Sequence, residues 1–104
     1  MFFDFFNHTD INKGVEEWKS TENAILLDVR TKEEYNAYHI DGSLNIPLDH
    51  LDTVNQSITD RNAPIFVHCL SGARSAGAAR YLKTQGYNNV KNIGGINAFK
   101  GEVV

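Results

Sequence analysis

Apolar residues along the chain fall into two patterns: short unbroken runs, and stretches in which they return at helical spacing. Residues 24–29 are of the first kind, as expected of a strand covered on both faces in a parallel sheet; residues 65–68 read as the next buried strand and residues 90–93 as a last one. Residues 44–46 predict a brief strand stopped by Pro47, and residues 2–6, alternating around Asp4, predict a first short strand. Ile11, Val15 and Trp18 share one face of a helix that Asp10 can cap. Thr31-Lys32-Glu33-Glu34 has the capping-box order and opens a short helix to about Tyr38. A helical region follows from about Leu48 to Ile58, with a turn at Asp60-Arg61-Asn62. Residues 76–83 read as a small-residue helix that Gly86 closes. Gly94-Gly95 is expected as a turn, and residues 96–100 as a short closing helix.

Strands alternating with helices at this spacing imply an α/β sheet with helices on both faces and right-handed crossovers. Ligands in such sheets sit beyond the carboxyl ends of the strands. A chain of 104 residues is read as one domain over 1–104, large enough to bury roughly two-thirds of its unfolded surface. The net charge of −3 gives no general attraction to nucleic acid or anionic membranes. No apolar run approaches the roughly 20 residues of a membrane span. Residues 1–6 lack a basic leader and contain Asp4, so a cytoplasmic protein is expected.

The chemistry gathers at His68-Cys69-Leu70-Ser71-Gly72-Ala73-Arg74-Ser75. Cys69, the only cysteine, lies where a buried strand ends and a helix begins. Unpaired amides and the positive end of the helix dipole converge at such a junction, favouring thiolate over thiol. Cys69 is therefore the candidate nucleophile. A single cysteine excludes an internal disulfide and argues against a cysteine-based zinc site, and His8 and His50 have no partners at metal-ligand spacing. Neither a metal nor an organic cofactor is expected. With no second thiol to resolve an oxidised or sulfur-loaded Cys69, release falls to an outside acceptor or a second copy of the chain.

Cys69-Leu70-Ser71-Gly72-Ala73-Arg74-Ser75 resembles the active-site loop of the single-domain rhodaneses, sulfurtransferases that carry a cysteine persulfide. Leu27-Asp28-Val29-Arg30-Thr31-Lys32-Glu33-Glu34-Tyr35, followed by His39-Ile40-Asp41-Gly42-Ser43-Leu44-Asn45-Ile46-Pro47, is similar to a second block of that family. Gly86-Tyr87-Asn88-Asn89-Val90 and Gly94-Gly95-Ile96-Asn97-Ala98-Phe99 resemble its C-terminal block, so the match runs over residues 9–101 in order. The resemblance implies a three-layer sandwich around a central, mostly parallel five-stranded sheet. It also implies transfer of sulfane sulfur from thiosulfate or a persulfide donor, through a Cys69 persulfide, to cyanide, a thiol or a sulfur-accepting protein. The expected association state is monomer or weak homodimer. Two departures stand out: Phe99 replaces a frequent tryptophan, and Arg74 is the only basic residue in the loop. A persulfide donor is for that reason an alternative to thiosulfate.

A cysteine phosphatase or arsenate reductase is the rival reading, since His-Cys and Arg-Ser occur there too. Such phosphatases place one residue more between cysteine and arginine than the four here, Leu70-Ser71-Gly72-Ala73. The shorter loop suits a single sulfur better than a phosphoryl group. A non-catalytic rhodanese-like module that binds a protein partner is the third reading, against which the intact Cys69 argues.

Within the sulfurtransferase reading, the backbone of Leu70, Ser71, Gly72, Ala73, Arg74 and Ser75 forms the cradle, with Gly72 free to take positive φ. Arg74 either steers an anionic donor or pairs with a carboxylate on the rim. Ser75 is expected to cap the following helix, and His68 to be hydrogen-bonded and partly buried in preference to acting as a base. Asp28 and Arg30 either orient the loop through a charge-assisted bond or cap the turn after their strand. His39 is expected to bond backbone in its turn. Phe2, Phe3, Phe5, Phe6 and Trp18 are assigned to the core or a dimer contact.

Overall fold

The apolar runs pair into one parallel sheet. In the computed structural model, which describes residues 9–104, β1 (Ile25–Asp28), β2 (Leu44–Asn45), β3 (Ile65–Cys69) and β4 (Val90–Gly95) lie in the order β2-β1-β3-β4. All three strand pairs are parallel, with Leu27 opposite Leu44, Leu27 opposite Val67, and Ile65 opposite Val90. The sheet thus has four strands among the described residues where five were expected. The expected strand over residues 2–6, with Phe2, Phe3, Phe5 and Phe6, lies outside the described residues.

Helices cover both faces, and each face has its own core. On one side α1 (Ile11–Lys19) packs Ile11 and Val15 against Leu26, Phe66 and Ile93. The Asp10 carboxylate accepts from the Asn12 amide at 3.0 Å, which fixes the start of α1. Gly14 sits inside this helix because a Cβ there would lie 2.5 Å from Cβ of Ile93, so the helix can approach the sheet only without one. Trp18 joins this layer, donating its indole N–H to the Ala24 carbonyl. On the other side α3 (Val54–Ser57) and α4 (Ala73–Thr84) bury Val54, Ala78 and Leu82 against Leu27, Ile65 and Val67. The small residues predicted along α4 are what let it lie close to β3.

Three expected elements change form. The region from Leu48 to Ile58 is a 3₁₀ helix over Leu48–Thr53 followed by one α-helical turn, α3. Its tightening is anchored where the His50 amide bonds the Pro47 carbonyl. Gly94-Gly95 is not a turn but the end of β4, pairing with His68 and Cys69 across a register shift. The positive φ of Gly94, 103°, accommodates that irregularity. The closing helix is a single 3₁₀ turn, Ile96–Ala98. The predicted C-terminal glycine of α4 holds: Gly86 has φ 92°. No helix among the described residues is long and apolar enough to cross a membrane.

Candidate active site

Cys69 is the last residue of β3, and α4 begins at Ala73. Only three residues join them, so the chain must reverse tightly, and it does so at Gly72, whose φ of 108° is left-handed. The reversal turns the loop amides inward. The Gly72 amide donates to Cys69 Sγ at 3.0 Å and the Ser75 amide at 3.3 Å. Cys69 itself is 1% exposed, with the loop closed over the sulfur. The amides of Ala73 and Arg74, in the first turn of α4, bond no acceptor among the described residues.

Ser75 does not cap α4; that position belongs to Gly72. It is fully buried beneath the sulfur instead, with Oγ 3.4 Å from Cys69 Sγ, 3.1 Å from the Gly72 carbonyl and 3.4 Å from the Gly94 carbonyl. A hydroxyl proton can rotate among acceptors. With a thiol, the S–H donates to Oγ and the hydroxyl to a carbonyl. With a thiolate, the hydroxyl turns to the sulfur. Burial alone pushes the Cys69 thiol up, but the Ser75 hydroxyl and the Ser75, Gly72 and Ser71 amides together hold it below the ordinary thiol range.

His68 precedes the nucleophile and is completely rather than partly buried. Its Nδ1 lies 3.2 Å from the Cys69 carbonyl oxygen, and its Nε2 lies 3.8 Å from Asp28 Oδ2 without a hydrogen bond. Burial holds its imidazole below the usual histidine value against the pull of Asp28 and the Cys69 carbonyl, with Arg30 adding to the lowering. A neutral ring facing main chain and Asp28 is a packing residue. Asp28 and Arg30 form a buried bidentate pair: Arg30 Nε and a terminal nitrogen reach the carboxylate at 3.0 and 2.8 Å. The same guanidinium donates to the carbonyls of Glu34 and Tyr38. Of the two roles expected for this pair, the structure shows one in fastening the turn after β1. His39 bonds backbone as expected, with Nδ1 2.9 Å from the Tyr35 carbonyl.

Arg74 pairs with a carboxylate, and the partner is Glu34. Its two terminal nitrogens meet the two carboxylate oxygens at 2.7 and 2.9 Å. Glu34 belongs to the capping box of α2 (Lys32–Ala37), where its Oε1 also accepts from the Thr31 amide at 2.8 Å. The Arg74 guanidinium holds the Glu34 carboxyl at about 2, against an ordinary 4.5. A depressed carboxyl stabilises the fold above its unfolded value and loses that contribution as pH falls through its folded value. Glu34 is 29% and Arg74 34% exposed, so solvent screens the pair. We expect about 1 kcal/mol of unfolding free energy to disappear between about pH 4.5 and 2. Urea unfolding across that range should show this slope in the native chain and lose it in Glu34→Gln.

Two residues of the site escape sequence reasoning. The sequence places Glu34 in a capping box and in the second family block, but gives it no role beside the cysteine loop. Gly95 was placed in a turn, yet a Cβ there would strike the Leu70 carbonyl and lie 2.5 Å from Cα of Ser71. The signal for Gly95 was the paired glycines themselves, which mark close backbone approach as readily as a turn. A separate hollow of about 590 Å³ at the carboxyl ends of β1 and β2, bounded by residues such as Thr31, Asn45 and His50, includes no residue of the cysteine loop. Among the described residues no three His, Cys, Asp or Glu side chains converge as metal ligands.

The family model for the rhodanese-like domain matches residues 12–102. Thiosulfate sulfurtransferase PspE of Escherichia coli is 35% identical over 71 residues, covering 67% of this chain and 68% of that protein. A sulfurtransferase of Allochromatium vinosum is 35% identical over 94 residues, covering 89% and 87%. Other relatives, named adenylyltransferase and sulfurtransferase, are longer, and the chain spans 24% of their length. Among solved structures, a rhodanese with anions from E. coli superposes with a TM-score of 0.72 at 32% identity, covering 78% of this chain and 96% of that one. With the loop, the sheet and the sequence in agreement, the chain belongs to the rhodanese-like domain family, whose relatives include sulfurtransferases.

Proposed function

We propose that this chain moves sulfane sulfur through a persulfide on Cys69. The observation that carries the reading is the convergence of the Gly72 and Ser75 amides on the sulfur of the only cysteine. The Cys69 thiolate attacks the outer sulfur of the donor and forms a new S–S bond. With thiosulfate, the donor's S–S bond breaks and sulfite leaves with the electron pair; with a persulfide donor, a thiolate leaves. The acceptor then attacks the terminal sulfur, the Cys69 S–S bond breaks, and the thiolate is restored. Cyanide leaves as thiocyanate and a thiol as a persulfide, so no outside oxidant is needed.

Both resting states are anionic, and the same donors serve both. An amide aimed at a charged acceptor contributes about 1.5–3 kcal/mol. Gly72 and Ser75 hold Sγ, while the amides of Ala73 and Arg74, which have no acceptor among the described residues, remain as donors for the added sulfur. Because the loop closes over Cys69, a donor has to lead with a slim terminal sulfur. No base is required, which agrees with His68 being neutral and buried. The resident Arg74–Glu34 pair weighs against the phosphatase reading, because both terminal nitrogens of Arg74 are taken by a carboxylate. Relatives in which the domain is joined to an adenylyltransferase support a protein as one class of acceptor.

Intact mass spectrometry tests the reading. Incubation with thiosulfate or a low-molecular-weight persulfide should add one sulfur, about 32 Da, removable by cyanide or thiol and absent in Cys69→Ser. No adduct with either donor, together with turnover of an aryl phosphate, would establish the phosphatase instead.

A further inference from the structure

Among the residues from Cys69 to Ser75, Arg74 carries the only positive charge, and it does not face the site free. Its guanidinium is forked onto Glu34 through both terminal nitrogens, at 2.7 and 2.9 Å. This is no loose surface contact. Glu34 Oε1 is held from the other side by the Thr31 amide at 2.8 Å, and the Glu34 carbonyl accepts from Arg30 at 3.4 Å. Arg30 in turn is locked to Asp28 in the buried layer. The carboxylate is therefore fixed before Arg74 meets it, and a planar fork on a fixed carboxylate is a geometry that lysine or a mobile acid would not reproduce. Arg74 and Glu34 are each about one-third exposed, so the neutralised pair lies at the surface of the loop.

Resting on the sulfur-transfer reading, we propose that Glu34 sets which sulfur donors Cys69 accepts. By holding Arg74 it withdraws the cation that would attract a dianion. The cradle is left with amide dipoles alone, enough for one negative sulfur but poorly matched to thiosulfate, whose second charge would find no counter-charge. Donors with a single negative charge, such as low-molecular-weight persulfides, gain in comparison. Glu34 is thus a specificity-determining residue, acting on the donor through Arg74.

Glu34→Gln separates this role from capping. Glutamine keeps an oxygen to accept from the Thr31 amide, so the capping box persists, but it carries no charge to hold Arg74. The measurement is kcat/KM for thiosulfate divided by kcat/KM for mercaptoethanol persulfide. In Glu34→Gln this ratio should rise about fivefold or more, chiefly through a lower KM for thiosulfate. The gain should shrink as ionic strength rises. The double variant Glu34→Gln/Arg74→Gln should return the ratio toward the native value. A ratio that stays constant, or activity lost in equal proportion with both donors, would overturn the proposal and leave Glu34 a structural residue. The intact mass of Cys69, read in the same samples, keeps the two levels apart. Sulfur addition with an unaltered ratio defeats only the role of Glu34, whereas no sulfur addition in the native chain defeats the transfer reading and this inference with it.

Discussion

Asp28→Ala should lower the unfolding free energy by about 3–5 kcal/mol, the cost of leaving one member of a buried ion pair without its partner. Asp28 and Arg30 are 0% and 1% exposed, so no water can replace the carboxylate. Four donor–acceptor pairs link the two residues, including the Arg30 amide to Asp28 Oδ1 at 3.0 Å. The variant leaves the guanidinium bonded only to the Glu34 and Tyr38 carbonyls. A domain of this size has a stability of about 5–15 kcal/mol in total, so the loss is a large share of it. Equilibrium urea unfolding with an unchanged m value measures it. A loss under about 1 kcal/mol would show that the turn after β1 is held by other contacts.

Gly95→Ala acts on the reaction in place of the core. Its added methyl would meet the Leu70 carbonyl carbon at 2.7 Å and Cα of Ser71 at 2.5 Å, and both are backbone atoms that no rotamer can move aside. The floor of the loop must shift, and the Gly72 and Ser75 amides shift with it. Displacements of about an ångström at reacting groups cost about 100-fold in rate, and we expect a loss of sulfur transfer of that order. Melting temperature and sulfur transfer should be measured together. A rate within about twofold of the native chain would mean that the close approach of β4 does not set the loop's geometry.

The sequence and the structure agree where the determining contacts are local. The capping box at Thr31 and Glu34 forms because its partners are three residues apart, and Asp10 caps α1 through an amide only two residues on. The two central strands, β1 and β3, follow from their buried apolar runs, and the positive φ of Gly72 from the short link between β3 and α4. Agreement stops where partners are distant. Glu34 and Arg74 are 40 positions apart, so their pairing is invisible locally: Arg74 keeps two candidate roles and Glu34 none at the cysteine loop. A serine near a helix start ordinarily caps it, which is the local expectation for Ser75. Its hydroxyl instead lies under Cys69, within reach of the Gly94 carbonyl, 19 positions away. Gly95 misled in the same manner, since a strand end beneath a loop has no local signature that distinguishes it from a turn.

Amides and a hydroxyl aimed at Cys69 favour its thiolate against the opposing effect of burial, and sulfur transfer depends on that balance. The direct measurement is a pH titration of the thiolate's ultraviolet absorbance, with Cys69→Ser as the blank. The predicted result is a single transition with its midpoint below the free-cysteine value of about 8.5. A midpoint at or above that value would contradict the account, because burial would then outweigh every donor aimed at the sulfur.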